Sequence, residues 1–81
     1  YATQNIRINA VCPTAIETPM ITEGRRKLAH NPDALKAAKN YQAMKRMGQP
    51  EEVAEVILWL CSEQSSFITG HAMPVDGGAF A

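Results

Sequence analysis

The sequence runs to 81 residues, 46% of them hydrophobic, with eight basic side chains set against eight acidic ones. That balance describes one globular unit or part of one, and it argues against nucleic acid or an anionic membrane surface as the partner. A chain of this size buries only about 60–65% of its unfolded surface, so a core of its own would be thin.

The opening YATQ reads as the tail of a helix. Residues 6–12, IRINAVC, alternate Ile6, Ile8, Ala10 and Cys12 on one face against Arg7, Asn9 and Val11 on the other, and they stop at Pro13. This is a strand signature, mostly buried, ended by a residue that cannot donate to a ladder. Thr18 then offers an N-cap before Pro19, which predicts a helix from Pro19 to about Ala29. The stretch HNPDA breaks it, and Asn31 or Asp33 caps a second helix from about Pro32 to Met44, with Leu35, Ala38 and Tyr41 or Gln42 as a weak apolar stripe. Two short, weakly amphipathic helices joined by a Pro turn describe a flap rather than a core element. Arg25, Arg26 and Lys27 belong to its solvated face.

The strongest helix signal begins at Pro50, with Glu51 and Glu52 in the first turn, where the helix dipole favours carboxylates. Val53, Val56, Ile57, Leu60 and Cys61 form one stripe, and Ala54, Leu58 and Trp59 widen it. A helix apolar around so much of its surface needs two things to pack against, a sheet and a second body. SSFITG then turns into a strand at 71–75, HAMPV, where Pro74 favours a sheet edge. A strand–helix–strand crossover places its strands parallel. Two parallel strands are too few for a stable sheet and want cover on both faces, so the chain reads as the end of a larger α/β domain.

Among reactive residues, Cys12 and Cys61 each stand in an apolar stretch without His or acidic neighbours at ligand or nucleophile spacing. Buried free thiols are expected there, not a disulfide framework. His30 and His71 show no metal-ligand spacing, so no metal site is expected. The longest apolar run, Val56–Cys61, is far too short to cross a bilayer and no secretory leader is visible, which makes the cytoplasm the expected compartment. Tyr41 and Lys45, four apart in YQAMK, would share one face of a helix, and a neighbouring ammonium would favour the phenolate.

NIRINAVCPTAIETPM (5–20), followed by RMGQPEEVAEVILWLCSEQSSFITGHAMPVDGG (46–78), resembles the C-terminal third of the short-chain dehydrogenase/reductase family. The resemblance implies the last part of a Rossmann-type, doubly wound parallel sheet, with residues 6–12 as its sixth strand and 71–75 as its seventh, at the edge. Residues 1–81 would then be the C-terminal segment of a single NAD(P)-binding domain, with 21–44 as the substrate lid. The family's glycine-rich turn and its catalytic Ser, Tyr and Lys lie upstream of the sixth strand. No catalytic residue is therefore expected here, and YQAMK, which follows that strand, is a chance match.

The segment CPTAIET resembles the family's Pro-Gly-x-x-x-Thr motif. The resemblance implies a cofactor contact at the Ile16 backbone, to the nicotinamide carboxamide, and another at the Thr18 hydroxyl, with Pro13 and Met20 lining the pocket. Thr14 stands where the family most often has Gly, so its own contact is in question. Thr18 and Pro13 also serve as helix start and strand end, and both roles can hold together. Met20, Ile21, Leu28 and Tyr41 are candidates to face substrate. The implied cofactor is NAD or NADP, the substrate a small alcohol or carbonyl compound, and the partners the upstream part of the same enzyme and further copies of it, as a tetramer before a dimer. The competing reading is a non-catalytic fragment that serves as an interaction or oligomerisation module through its long helix. A helix-turn-helix nucleic-acid binder fits neither the neutral charge nor the strands.

Overall fold

The computed structural model describes residues 1–27 and 31–81. Two four-residue strands, β1 (Ala10–Pro13) and β2 (Ala72–Val75), pair in parallel with Ala10 opposite Ala72 and Pro13 opposite Val75. Between them run α1 (Pro19–Lys27), α2 (Pro32–Asn40) and α3 (Pro50–Leu60). Single 3₁₀ turns occupy Ala2–Gln4 and Glu63–Ser65. The element order and the parallel crossover are those expected from the sequence.

β1 is shorter than the strand expected at 6–12, and Asn9 is the reason. Its side-chain nitrogen donates to the Ile68 carbonyl (3.1 Å) and its side-chain oxygen accepts from the His71 N–H (3.0 Å). A side chain thus does the work of the ladder before the backbone takes over with the Ala10 N–H on the His71 carbonyl at 2.8 Å. Arg7, on the same face as Asn9, reaches the end of α3. Its guanidinium donates to the carbonyls of Leu60 (2.8 Å), Ser62 (3.2 Å) and Ile68 (3.1 Å). The Leu60 carbonyl is one that a helix end leaves without an intrahelical donor, and a cation there complements the dipole; Ser62 and Ile68 lie in the chain beyond the helix. The buried Ser65 hydroxyl adds a donor among the carbonyls of Trp59, Leu60 and Ser62, at 2.9–3.1 Å.

α3 starts as the sequence predicts. The Gln49 N–H donates to the Glu52 carboxylate at 3.0 Å, and Pro50 occupies the first turn, where its missing N–H costs nothing. α2 is capped by Asn31, whose side chain accepts from the Ala34 N–H at 3.2 Å. It ends at Asn40 rather than Met44, and a turn follows in which Lys45 takes a left-handed φ of 58° and its N–H donates to the Gln42 carbonyl at 3.0 Å. Tyr41 and Lys45 are therefore not stacked on a helix. The Lys45 ammonium instead donates to the Asn40 carbonyl at 3.1 Å. Leu28 and Ala29, expected to end the first flap helix, and His30, expected to begin the stretch that breaks it, lie outside the described residues.

The described residues barely enclose a core. Leu60, 7% exposed, is the one buried hydrophobic side chain among them. The radius of gyration is 16.0 Å, where a compact chain of this length would have about 12 Å. The solvent-accessible surface is 6244 Å², against about 4,800 Å² for a compact monomer of this mass. β1 is largely exposed rather than buried, and Cys12 and Cys61 are free but exposed. Both corrections have one physical cause: hydrophobic patterning records the cover a strand or helix is built for, and this chain does not itself supply that cover.

Candidate functional site at the carboxyl ends of the strands

Ligands of open parallel sheets sit beyond the carboxyl ends of the strands, and here two loops meet at those ends. One is residues 13–18, leaving β1; the other is the turn 76–79, leaving β2. Thr14 continues the ladder for one more bond, its N–H donating to the Val75 carbonyl at 3.3 Å. Ala15 then adopts a left-handed φ of 53°, uncommon for a residue with a Cβ, which swings the chain away from the sheet. Nothing in the letters CPTAIET announces that conformation.

The loop is next locked to the segment before α3. The Gly48 N–H donates to the Ala15 carbonyl (3.1 Å) and the Glu17 N–H to the Gly48 carbonyl (2.8 Å), a parallel bridge centred on Ile16 and Gly48. In such a bridge the neighbours of Ile16 supply the bonds, so the N–H and C=O of Ile16 itself face the opposite side. A Cβ built on Gly48 would lie 2.8 Å from Ile16 Cδ1, so a larger residue there would make the tip of the Ile16 side chain shift. A third tie joins the Gln49 side-chain nitrogen to the Glu17 carboxylate at 2.9 Å.

The other predicted site residues fall around this loop. Pro13 ends β1 and is exposed; Thr18 is half-buried immediately before Pro19, the first residue of α1; Met20 is exposed on α1. Tyr41, also exposed, sets its ring edge-on to Phe80 with centroids 6.3 Å apart. The structure thus gathers Pro13, Thr14, Ile16 and Thr18 in one turn, with Met20 one step beyond.

Behind the loop lies a cleft of about 250 Å³, lined on its polar side by Thr14, Gln42, Arg46, Glu52 and Asp76 and on its apolar side chiefly by Ile16, Met44, Pro74 and Val75. The arm that closes it, residues 42–44, is held to the turn after β2 by the Met44 N–H on the Gly77 carbonyl at 3.0 Å. That approach needs the two glycines. Gly77 and Gly78 have φ of 57° and 81°, and a Cβ on Gly78 would lie 2.9 Å from the Ala43 Cβ. Gln42 is only 1% exposed, yet neither its side-chain nitrogen nor its oxygen has a partner; the buried Thr14 Oγ1 has none either. The sequence hinted at Gln42 only as one candidate for a weak stripe, since period reasoning has no sign for a buried amide.

The charged groups of the cleft are occupied. Arg46 meets both oxygens of Glu52, at 2.8 and 2.9 Å, and Asp76 accepts from the Gly78 N–H at 3.0 Å. The bond from Arg46, aided by the Gln49 N–H, lowers the Glu52 carboxyl to about 2, while Glu52 raises the Arg46 guanidinium. Among the described residues no cluster of His, Cys, Asp and Glu could hold a metal, and no helix is long and apolar enough to cross a membrane.

A family model described as enoyl-(acyl carrier protein) reductase matches residues 1–79, nearly the whole chain. The chain belongs to the short-chain dehydrogenase/reductase family. It is 46% identical over 77 residues to a 3-oxoacyl-[acyl-carrier-protein] reductase of Thermotoga maritima, covering 95% of this chain and 29% of that protein. Among solved structures, it superposes on YwfH, an NADPH-dependent reductase involved in bacilysin biosynthesis, with a TM-score of 0.87 at 32% identity, over 98% of this chain and 32% of the other. A 3-oxoacyl-[acyl-carrier protein] reductase from Brucella melitensis with bound NAD gives 0.77 at 38% identity, over 99% and 26%. The chain spans less than a third of the length of the relatives it matches. The α/β reading, the last portion of a Rossmann-type sheet, agrees with these neighbours.

Proposed function

We propose that these residues form the cofactor-side loop, substrate lid and an assembly surface of an oxidoreductase that exchanges hydride between NAD or NADP and an alcohol or carbonyl substrate. The observation that carries this reading is the Ile16 peptide, whose N–H and C=O are turned away from the Gly48 bridge at the carboxyl end of a parallel strand. A donor and an acceptor held side by side on a loop pinned by three bonds suit a primary carboxamide, the handle that selects which face of a nicotinamide is presented. The nicotinamide, when bound, supplies or accepts the hydride. What this chain contributes is orientation: Ile16 through its backbone, Thr18 through its hydroxyl, and Pro13 and Met20 as walls. Thr14, where the family most often has Gly, has its hydroxyl buried without a partner. This supports a role for its side chain away from the cofactor.

In the same reading α1 and α2, within residues 21–44, form the lid, and the proton-transferring residues lie upstream of β1. The exposed face of α3, where Leu58 is 66% and Trp59 37% exposed, is proposed as an interface between copies in a dimer or tetramer. The direct test is Thr18→Val in the longest natural form of the protein. Loss of one hydroxyl contact should weaken cofactor binding about 5–15-fold with the fold unchanged, the equivalent of about 1–1.5 kcal/mol. Unchanged affinity would remove Thr18 from the site, and failure of the parent protein to bind either dinucleotide would overturn the reading as a whole.

A further inference from the structure

Residues 76–81, beyond β2, form a turn bonded to itself. The Gly78 N–H donates to the Asp76 carboxylate (3.0 Å), the Ala79 N–H to the Asp76 carbonyl (3.1 Å) and the Ala81 N–H to the Gly78 carbonyl (3.1 Å). Phe80 is therefore carried on a built turn and not on a loose tail. Residues 41–44, which follow α2, are seated on that turn one by one. The Tyr41 ring meets the Phe80 ring edge-on, with centroids 6.3 Å apart, inside the range at which aromatic pairs attract. Gln42 and Ala43 stand so close that a Cβ on Gly77 or Gly78 would come within 3.3 and 2.9 Å of their own Cβ atoms. The Met44 N–H completes the seat on the Gly77 carbonyl. Tyr41 is also the residue that caps the carboxyl end of α2, and the Lys45 ammonium ties the arm back to the Asn40 carbonyl at 3.1 Å. The segment 19–40 has its other root in the loop 15–17, which is fixed separately to Gly48.

We propose that Phe80 is a positioning residue for the α1–α2 segment: its ring holds Tyr41, and through that cap it holds the carboxyl end of α2. Helices open first from their ends, so the grip on the capping residue governs how often the last turn of α2 opens. Both rings are more than half exposed, which makes the pair a means of alignment and not a piece of core. The ring contact is the side-chain part of the seat. The close approaches of Gly77 and Gly78 belong to the backbone and survive its loss, so removing the ring loosens α2 without unseating the arm. The loop 13–18 hangs on other bonds, to Gly48 and to the Gln49 side chain, and does not share this grip. On the function proposed above, Phe80 thus sets where the lid rests over substrate and leaves the cofactor contact alone. That consequence rests on the earlier reading; the grip of Phe80 on α2 does not.

The test is amide hydrogen exchange, residue by residue, on the longest natural form of the protein and its Phe80→Ala and Phe80→Tyr variants, with titrations by NADH and NADPH beside it. In Phe80→Ala the amides of residues 36–40 should exchange about 2–10-fold faster, the loss of one aromatic pair, while those of α3 keep the parent rate. Phe80→Tyr, which retains a ring, should restore the parent rate in α2. Unchanged exchange in α2 for Phe80→Ala would overturn the proposal. So would an equal rise in α3, which would make Phe80 a residue of general stability, or a failure of Phe80→Tyr to rescue. Dinucleotide affinity should be the same in all three proteins, and weaker binding by Phe80→Ala would overturn the separation of the lid from the cofactor loop. Faster exchange confined to α2 in a protein that binds neither dinucleotide would uphold the grip and overturn only the oxidoreductase reading.

Discussion

Replacing Arg7 by Met tests the central structural claim, that one guanidinium from the start of the chain closes the carboxyl end of α3. Met keeps an unbranched apolar stem of similar reach and deletes three donations, to Leu60, Ser62 and Ile68, at 2.8–3.2 Å. A hydrogen bond from a charged donor contributes about 1.5–3 kcal/mol when fully buried. Arg7 is only half-buried, so water can replace part of each bond, and about 1 kcal/mol apiece, or about 3 kcal/mol together, is the reasoned loss. Arg7→Lys should recover no more than about 1 kcal/mol. The three carbonyls are shared between two guanidinium nitrogens, a fork that a single ammonium cannot reproduce. The assay is urea unfolding of the longest natural form of the protein, with the slope required to stay constant so that a midpoint shift reports stability. A loss under about 0.5 kcal/mol for Arg7→Met, or full rescue by Lys, would refute the argument.

Four further outcomes follow from the same geometry. Glu52 is held near 2 by Arg46, below its ordinary value of 4.5, so its contribution to stability is present above about 4.5 and lost as the pH falls toward 2; urea midpoints of Glu52→Gln should fall less than those of the parent over that interval, and parallel curves would count against the pairing. Gly78→Ala meets both a φ of 81° and a 2.9 Å approach to Ala43, whereas Gly70→Ala meets only a φ of 72° with open space around it; the first should cost about 2–3 kcal/mol and the second about 1 kcal/mol in the same assay, and equal costs would deny the contact. Gln42→Met removes an unpartnered buried amide and should raise the stability of ligand-free protein by about 1–2 kcal/mol, while a lower melting temperature would mean that the amide is satisfied in solution. Trp59→Ala should shift sedimentation toward smaller species, and an unchanged profile would argue against α3 as an assembly surface.

Much of this was legible in the letters because local rules act locally. Pro50 followed by Glu51 and Glu52 announces the start of α3, and Asn31 or Asp33 beside Pro32 announces α2, with Asn31 proving to be the cap, each a matter of one residue and its own backbone. What escaped depends on residues distant in sequence. Asn9 displaces the first rung of the ladder through Ile68 and His71, which no alternation of apolar and polar letters encodes. α2 ends short of Met44, the arm beyond it is bonded to Gly77, and the burial of Gln42 goes with that contact. The expected burial of Cys12 and Cys61 failed for a different reason, since the pattern around them describes a surface meant to be covered by more protein than these residues contain. At the loop after β1, the left-handed Ala15 that turns Ile16 outward has no sign in the letters CPTAIET.

The parallel pairing of β1 with β2 sets the timing of folding during synthesis. Asn9 and His71, the side-chain rung that starts the ladder, are 62 positions apart, so the first strand has nothing to pair with on that side until nearly the whole segment has been translated. At about 5–20 residues per second the wait is roughly 3–12 s. Throughout it β1 presents an unpaired edge, a template for pairing with any other nascent strand. Arg7 and Asn9 answer that hazard in kind: the two residues beside the strand that are committed to Leu60, Ser62, Ile68 and His71 in the finished fold are a cation and an amide, which keep the waiting edge hydrated.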